Sequence, residues 1–284
     1  MSDTTDREAI QTIALIRAAE DWSKQYQQDP ETHAALLKNE AKWTLAMIRF
    51  FKKMANEMDR YISWGNYHLQ VNADFNVDVI VRDEYLDPYS DDFIKISVEY
   101  VVGMVVAGAQ SGENLYGINL GIDSTDAIIR KLSLDRVAAL VGKRVEPDGS
   151  IIDNPKAEYS ITKTMRQDIA ESIKTSLALR ETNEEAKARI NKVIKNPKRA
   201  ERIARTESVN AYQTGVTEFG FQSGAVGKVW QTVGTTDVCA DYAKLGPVPF
   251  DYLYGDKLQG PTAHPGCRCG RRLIYQAEWD KLKK

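Results

Sequence analysis

The most constraining feature of this sequence is a set of cysteines and one histidine at the two ends of a long polar segment. Cys239 stands at one end, and His264, Cys267 and Cys269 follow 25 to 30 residues later. The residues between them are rich in Gly, Pro and Tyr, and so long a loop is unusual in a compact domain unless something pins it. Thiolates and imidazole suit tetrahedral zinc, and Cys3His is a common closed structural set. The spacing therefore predicts one structural zinc ion that tethers the loop.

A second interpretation of the same residues stays open. Paired CxxC motifs are missing, because Cys239 is followed by Ala240-Asp241-Tyr242 and the later cysteines form CxC. If Cys267 and Cys269 lay on a strand, their side chains would alternate between its faces, with one buried and one free. The total of three cysteines is odd, which argues against a disulfide framework.

Apolar residues at helical spacing dominate the first two thirds of the chain. After a break at Asp29-Pro30, large apolar side chains recur every three to four positions as far as Met58. Such a stripe predicts a buried core or a partner-helix contact rather than a ligand pocket. Further helices are predicted over residues 92–109, 132–141 and 159–195, the last ended by Asn196-Pro197.

The remaining stretches predict strands and turns. VNADFNVDVIVRD could alternate as a strand over 71–83, and residues 83–92 predict an acidic loop. Glycine-rich residues 112–121 predict a turn region, as does Glu146-Pro147-Asp148-Gly149. Near the C-terminus, GKVWQTV and CRCGRRLIYQ predict two strands that flank the long loop.

We therefore predict a mainly α protein with a small α+β C-terminal module, in which long helices precede a short hairpin-like sheet closed by the Cys/His cluster. Three consecutive regions are expected. Residues 1–91 form a helical N-terminal region suited to partner binding, 92–196 a helical middle region, and 197–284 the C-terminal module.

Composition narrows the class of protein. Lys and Arg number 38 against 40 Asp and Glu, so there is no global basic excess and any DNA contact would be a local patch. The polar, acidic N-terminus does not resemble a secretory signal. The most apolar window, residues 98–109, is shorter than a membrane span of about 20 residues. We expect a protein that stays in the cytoplasm where it is made and has no membrane partner.

Catalytic motifs are incomplete. A hydrolytic zinc site needs an open coordination position and a general base, for which Asp237 or Asp241 would be the candidates. The H-x-E and PCxxC motifs of zinc deaminases are missing, and nothing marks an oxyanion hole beside Cys239 and His264. The sequence therefore predicts a structural role with no catalytic residue. A zinc-dependent, nuclease-like enzyme is the alternative.

A dense charged motif, RAERIARTES, spans residues 199–208. On a helix, Glu201 and Arg205 stand four positions apart and can pair. Arg202 and Arg205 could contact phosphates, but arginines this close to glutamates are more often committed to ion pairs.

Taken in order, several short motifs resemble the C-terminal part of phage minor head proteins of the Mu protein F type, also called head morphogenesis proteins. They are RAERIARTES, Trp230, Thr236-Asp237-Val238-Cys239 and His264-Pro265-Gly266-Cys267-Arg268-Cys269. The likeness is specific over residues 197–274 and looser back to Asp92. That family often has a second cysteine three residues after the first, where this chain has Tyr242. The departure brings His264 into the ligand set that the resemblance implies.

The resemblance implies a low-copy structural protein of the phage head, located in the virion after synthesis in the bacterial host. Its expected partners are the portal or the major capsid protein, with a role in head morphogenesis and in DNA packaging or ejection. The matching motif residues would hold the fold or touch a partner: Arg202, Arg205, Thr206, Glu207, Trp230 and Asp237.

Packaged double-stranded DNA is a further expected partner. Arg268, Arg271 and Arg272 would supply that contact, which should weaken steeply with salt. A DNA-binding accessory protein is therefore another alternative function.

Overall fold

The computed structural model describes residues 3–69, 80, 87–157, 160–234 and 237–282. It confirms the predicted fold class, because the chain is mainly helical with a small antiparallel C-terminal sheet beside the Cys/His cluster. The strand predicted over 71–83 lies outside the described residues, apart from Ile80. Among the helices described, none is both long and apolar enough to cross a bilayer.

The helices are α1 (Asp3–Ala18), α2 (Lys24–Gln28), α3 (Pro30–Glu57), α4 (Trp64–Leu69), α5 (Asp87–Tyr116), α6 (Ala127–Leu140), α7 (Ile161–Ala178), α8 (Asn183–Ile194), α9 (Pro197–Gln222), α10 (Val238–Lys244) and α11 (Gln276–Leu282), with a 3-10 turn at Met58–Arg60. The strands are β1 (Lys143–Val145), β2 (Ile151–Asp153), β3 (Gly227–Gln231), β4 (Val248–Pro249) and β5 (Gly270–Ile274). Strands β1 and β2 form an antiparallel pair, and the second sheet has the order β4-β3-β5.

Two compact units make up the chain. Unit 1 comprises Met1–Thr44, Glu99–Ser133 and Glu201–Lys284, and unit 2 comprises Leu45–Val98 and Leu134–Ala200. The sequence predicted three consecutive regions. The two units divide the chain differently, because the first helices and the C-terminal module both belong to unit 1.

Unit 2 contains a helix pair where the sequence predicts one long helix. That prediction is wrong, because the chain turns between α7 and α8. Arg180 has a positive φ of 55° at the end of α7. The Thr182 hydroxyl then accepts from the Glu185 N–H while the Glu185 carboxylate accepts from the Thr182 N–H, a capping box that starts α8. The facing apolar residues Ile169, Ile173, Ile190 and Ile194 are fully buried.

Helix α5 is longer at both ends than the predicted 92–109. It begins at Asp87, within the expected acidic loop, and continues through Gly112, which was expected in a turn. The reason at Gly112 is close packing in unit 1, since a Cβ there would lie 2.2 Å from Cδ1 of Phe219 on α9. Gly112 thus allows α5 to pack closely against α9 and does not break the helix.

The C-terminal sheet pairs the two predicted strands. Strands β3 and β5 are antiparallel, with Trp230 opposite Arg271. The returning strand is shorter than CRCGRRLIYQ, because β5 begins at Gly270, after both of its flanking cysteines. The connecting segment, residues 232–269, is not wholly loop, since it contains α10 and β4.

Candidate metal centre

The Cys/His cluster consists of Cys239, His264, Cys267 and Cys269. The ligand atoms of Cys239, His264 and Cys267 all lie within 4.8 Å of one another, so these three residues could hold a metal ion. The sulfurs of Cys239 and Cys267 are 3.7 Å apart. Tetrahedral zinc with Zn–S bonds of about 2.3 Å places two sulfurs about 3.8 Å apart, whereas a disulfide needs about 2.05 Å. The spacing therefore fits a shared metal ion.

Cys269 lies beside that group without meeting the same distance condition. Its sulfur is 3.7 Å from the Thr232 hydroxyl, and hydrogen bonds from Cys239 and then Cys267 lower its pKa. The pKa of Cys239 is raised, chiefly by its hydrogen bond with Cys267. None of the three cysteines forms a disulfide, and all three are buried. The interpretation that places Cys267 and Cys269 on opposite faces of a strand, with only one of them buried, is therefore wrong, because both residues precede β5 and both are buried.

Asp237 connects the two halves of the cluster. Its Oδ1 accepts hydrogen bonds from the N–H groups of Cys239 and Ala240 at 3.1 and 3.2 Å, which caps the first turn of α10. Its Oδ2 lies 3.3 Å from Nε2 of His264, and Nδ1 of that ring is 3.1 Å from the Pro265 carbonyl oxygen. One carboxylate thus touches the helix that carries Cys239 and the imidazole from the other end of the segment.

An aromatic group packs beside the thiols. Trp230 is buried, with ring centroids 4.9 Å from Tyr242 and 5.0 Å from Tyr254. Burial raises the pKa of Tyr254 to about 12. Tyr242 therefore fills an aromatic position where the resembling family often has a cysteine. Sequence reasoning missed both tyrosines as site residues, although the tyrosine-rich composition of the segment was the available signal.

The Arg205-Thr206-Glu207 triplet on α9 holds the segment that carries His264. The Thr206 hydroxyl accepts from the Gly266 N–H at 3.1 Å. The Glu207 carboxylate accepts from the Asn210 side-chain amide at 3.4 Å, and Oδ1 of Asn210 accepts from the Thr262 N–H at 3.4 Å. These contacts give the triplet a role in the fold of unit 1.

Arg205 forms its ion pair outside its own helix, in which its expected partner lies. Its Nη2 lies 2.7 Å from Glu20, beyond the end of α1, whereas Glu201 pairs with Arg17. The predicted pairing of Glu201 with Arg205 is therefore wrong, because both side chains reach partners far away in sequence. Arg202 is exposed.

Arg17 lies at the centre of a buried ion network in unit 1. It contacts Glu20 at 2.9 Å and Glu40 at 3.1 Å, and Glu20 also pairs with Arg268 at 3.0 Å. Burial raises the pKa of Glu40 to about 7, against the opposing charges of Arg17 and Arg205. Sequence reasoning missed this network, since apart from Arg17 and Glu20 its members stand far apart in the chain.

The three arginines predicted to contact DNA have protein partners. Arg268 pairs with Glu20, and Nη1 of Arg272 contacts both carboxylate oxygens of Glu278 at 2.6 and 2.8 Å. Arg271 is only 4% exposed, and its Nε donates to Oε1 of Gln213 at 3.1 Å. The assignment of Arg271 to a DNA contact is corrected, because a phosphate cannot reach so buried a guanidinium.

The two acids considered as general bases are also engaged. Asp237 caps α10 and contacts His264, while exposed Asp241 pairs with Lys244 at 2.8 Å. Cysteine thiols with one imidazole are a ligand combination typical of structural zinc sites. The chain matches no family model, no curated protein and no solved structure. Its functional interpretation therefore depends on these residues and on the resemblance of their motifs.

Proposed function

We propose that this chain is a structural, non-catalytic minor head protein of a tailed bacteriophage that binds the portal or the major capsid protein. The supporting observation is that the separate motifs of the resemblance pack together in unit 1. The Arg205-Thr206-Glu207 triplet contacts the turn before Cys267, Trp230 packs in the same buried cluster as the cysteines, and Asp237 contacts His264. A chance likeness between short, scattered motifs would not require them to be neighbours in the folded chain.

We further propose that the Cys/His cluster holds one structural zinc ion. The donor set of soft thiols and one imidazole suits zinc, and the Cys239–Cys267 sulfur spacing of 3.7 Å fits a common ion. Cys269 would complete a closed Cys3His set, which supplies folding energy and leaves no position for a reacting water. When bound, the ion would tether the two ends of the 232–269 segment. Metal analysis of freshly reduced, unchelated protein should find about one zinc per chain.

Co-expression with the portal and major capsid proteins of the same phage tests the assembly function. Tagged chain should co-purify with the portal or the capsid protein and appear at low copy number in isolated heads. A Cys267→Ser variant, which breaks the cluster, should enter heads less well than the matched surface variant Asp241→Asn. Heads without the chain, together with no association with either protein, would refute the proposal.

The same preparations separate the two alternative functions. A DNA-binding accessory protein should shift duplex DNA with a steep dependence on salt, although Arg268 and Arg272 are already paired with glutamates. A zinc-dependent nuclease should cleave DNA only with metal, and this activity should disappear in His264→Ala. Our proposal predicts neither result.

A further inference from the structure

Asp237 is the one acidic side chain that contacts both halves of the Cys/His cluster among the described residues. Its two carboxylate oxygens have different partners. Oδ1 accepts from the N–H of Cys239 at 3.1 Å, and Oδ2 lies 3.3 Å from Nε2 of His264. The carboxylate is not itself in the group of ligand atoms formed by Cys239, His264 and Cys267. Any effect of Asp237 on a metal ion would therefore act through those ligands.

We infer that Asp237 is the positioning residue of the metal centre, an inference that rests on the proposed zinc site. By lying 3.3 Å from Nε2 of His264, Asp237 fixes the orientation of the imidazole ring, whose Nδ1 contacts the Pro265 carbonyl oxygen. Ligating histidines commonly donate their other N–H to a carboxylate, which orients the ring and increases its basicity. The other carboxylate oxygen, Oδ1, caps α10 and holds Cys239 in the first turn of that helix. A single side chain thus sets the geometry of a ligand at each end of the 232–269 segment.

The exposure of these groups explains why such a residue is needed. The side chains of His264 and Asp237 are 38% and 45% exposed, whereas Cys239 is fully buried. An exposed imidazole has free rotation unless a second contact holds it, while a buried thiol is held by packing. Without Asp237, His264 would pay the cost of ordering its ring when it binds the metal.

Two variants change the contact of Asp237 with His264 while keeping its cap on α10. Asp237→Asn keeps a good N-cap, since Asn and Asp cap helices equally well, but it replaces the charged acceptor of His264. Asp237→Ser also keeps a cap and is too short to reach the ring. The matched control is Asp241→Asn, which removes the same charge from the same helix and loses only an exposed pair with Lys244.

The experiment is a titration of the reduced, metal-free full chain with Co²⁺, followed by its thiolate charge-transfer and d–d absorption, with a competing chelator to give affinity. Asp237→Asn and Asp237→Ser should each weaken binding by roughly 10- to 100-fold. Asp241→Asn should stay within about twofold of the wild type. In a His264→Ala background, Asp237→Asn should have no further effect, because the two residues act as one unit.

The outcomes separate this inference from the proposed metal site. If the wild type takes up neither Co²⁺ nor Zn²⁺, the metal site itself is refuted. Wild-type binding with unchanged affinity in Asp237→Asn would overturn the inference alone. An equal loss with and without His264 would also overturn it, since Asp237 would then act only through its charge or its cap.

Discussion

The helix pair of unit 2 and the C-terminal module of unit 1 are held together in different ways. Helices α7 and α8 bury apolar residues three to four positions apart, such as Ile169 and Ile173, and a local capping box sets the turn between them. In the C-terminal module, the 232–269 segment is held by contacts that are distant in sequence, such as Cys239 with Cys267 and Thr206 with Gly266. The first arrangement depends on a repeating local pattern, and the second depends on a few individual side chains.

Replacing one thiol of the Cys/His cluster should have the largest effect, and that effect should be confined to the C-terminal module. In Cys267→Ser, the affinity for zinc should fall by at least roughly 100-fold, because the variant loses a direct metal ligand and the folding energy coupled to its binding. Hydrogen exchange should rise over residues 237–269 and stay unchanged in α7 and α8. Chelation of the wild type should reproduce this pattern. Increased exchange in α7 and α8 to the same degree would show that the two regions do not differ in the way we describe.

Truncating the apolar core of unit 2 should produce the converse result. Ile173 is fully buried, so Ile173→Ala should lower the free energy of unfolding by about 2–5 kcal/mol through lost burial and a cavity. Denaturant unfolding followed by far-ultraviolet circular dichroism measures this loss. Binding of Co²⁺ should be unchanged. The control is Leu179→Ala. Because Leu179 is 61% exposed, this change should alter the free energy of unfolding by no more than about 0.5 kcal/mol. Weakened Co²⁺ binding in Ile173→Ala would contradict the comparison.

The same contrast explains how far the sequence predicts the fold. The predicted breaks at Asp29-Pro30 and Asn196-Pro197 are confirmed, and α3 and α9 begin at these prolines. The turn between α7 and α8 was missed, although Thr182 and Glu185 have the spacing of a capping box. The extension of α5 through Gly112 was not predictable from the local sequence. The glycine is needed because Phe219, more than 100 positions away, packs where a side chain would be.

For the candidate site, residue types were predictable and partners were not. Cys239, His264 and Cys267 come together as their spacing suggested. The roles of Asp237, Tyr242 and Glu20 depend on contacts that the fold creates. The burial of Arg271 likewise depends on residues distant in sequence, since it contacts Gln25 and Gln213, and a count of basic residues could not indicate it.

The buried Glu40 gives unit 1 a dependence on pH that can be isolated. Its pKa is raised to about 7 by burial, so the folded state binds a proton more tightly than the unfolded state, where a carboxyl titrates near 4.5. The stability contributed by this group is present below about pH 4.5 and is lost as pH rises through about 7. Compared with Glu40→Gln, the wild type should therefore lose about 1–3 kcal/mol between these values.

Denaturant unfolding of both proteins from pH 4.5 to 8, followed by tryptophan fluorescence, measures that difference. Ile128→Ala in unit 1 is a control without a charge change, at a residue 49% exposed, and it should shift stability equally at every pH. Parallel curves for the wild type and Glu40→Gln would show that the buried carboxyl does not titrate in this range.

The smallest effect concerns the capping box that separates α7 from α8. Thr182→Ala removes the hydroxyl that accepts from the Glu185 N–H at 3.3 Å, and it should destabilise unit 2 by about 1 kcal/mol. Thr175→Ala is the matched control within α7, where the hydroxyl bonds only the Glu171 carbonyl oxygen of its own helix at 2.9 Å. That change should be neutral or slightly stabilising, because alanine has the higher helix propensity. Denaturant midpoints measure both. An equal loss in the two variants would mean that the turn is set by the packing of α7 on α8 rather than by its local cap.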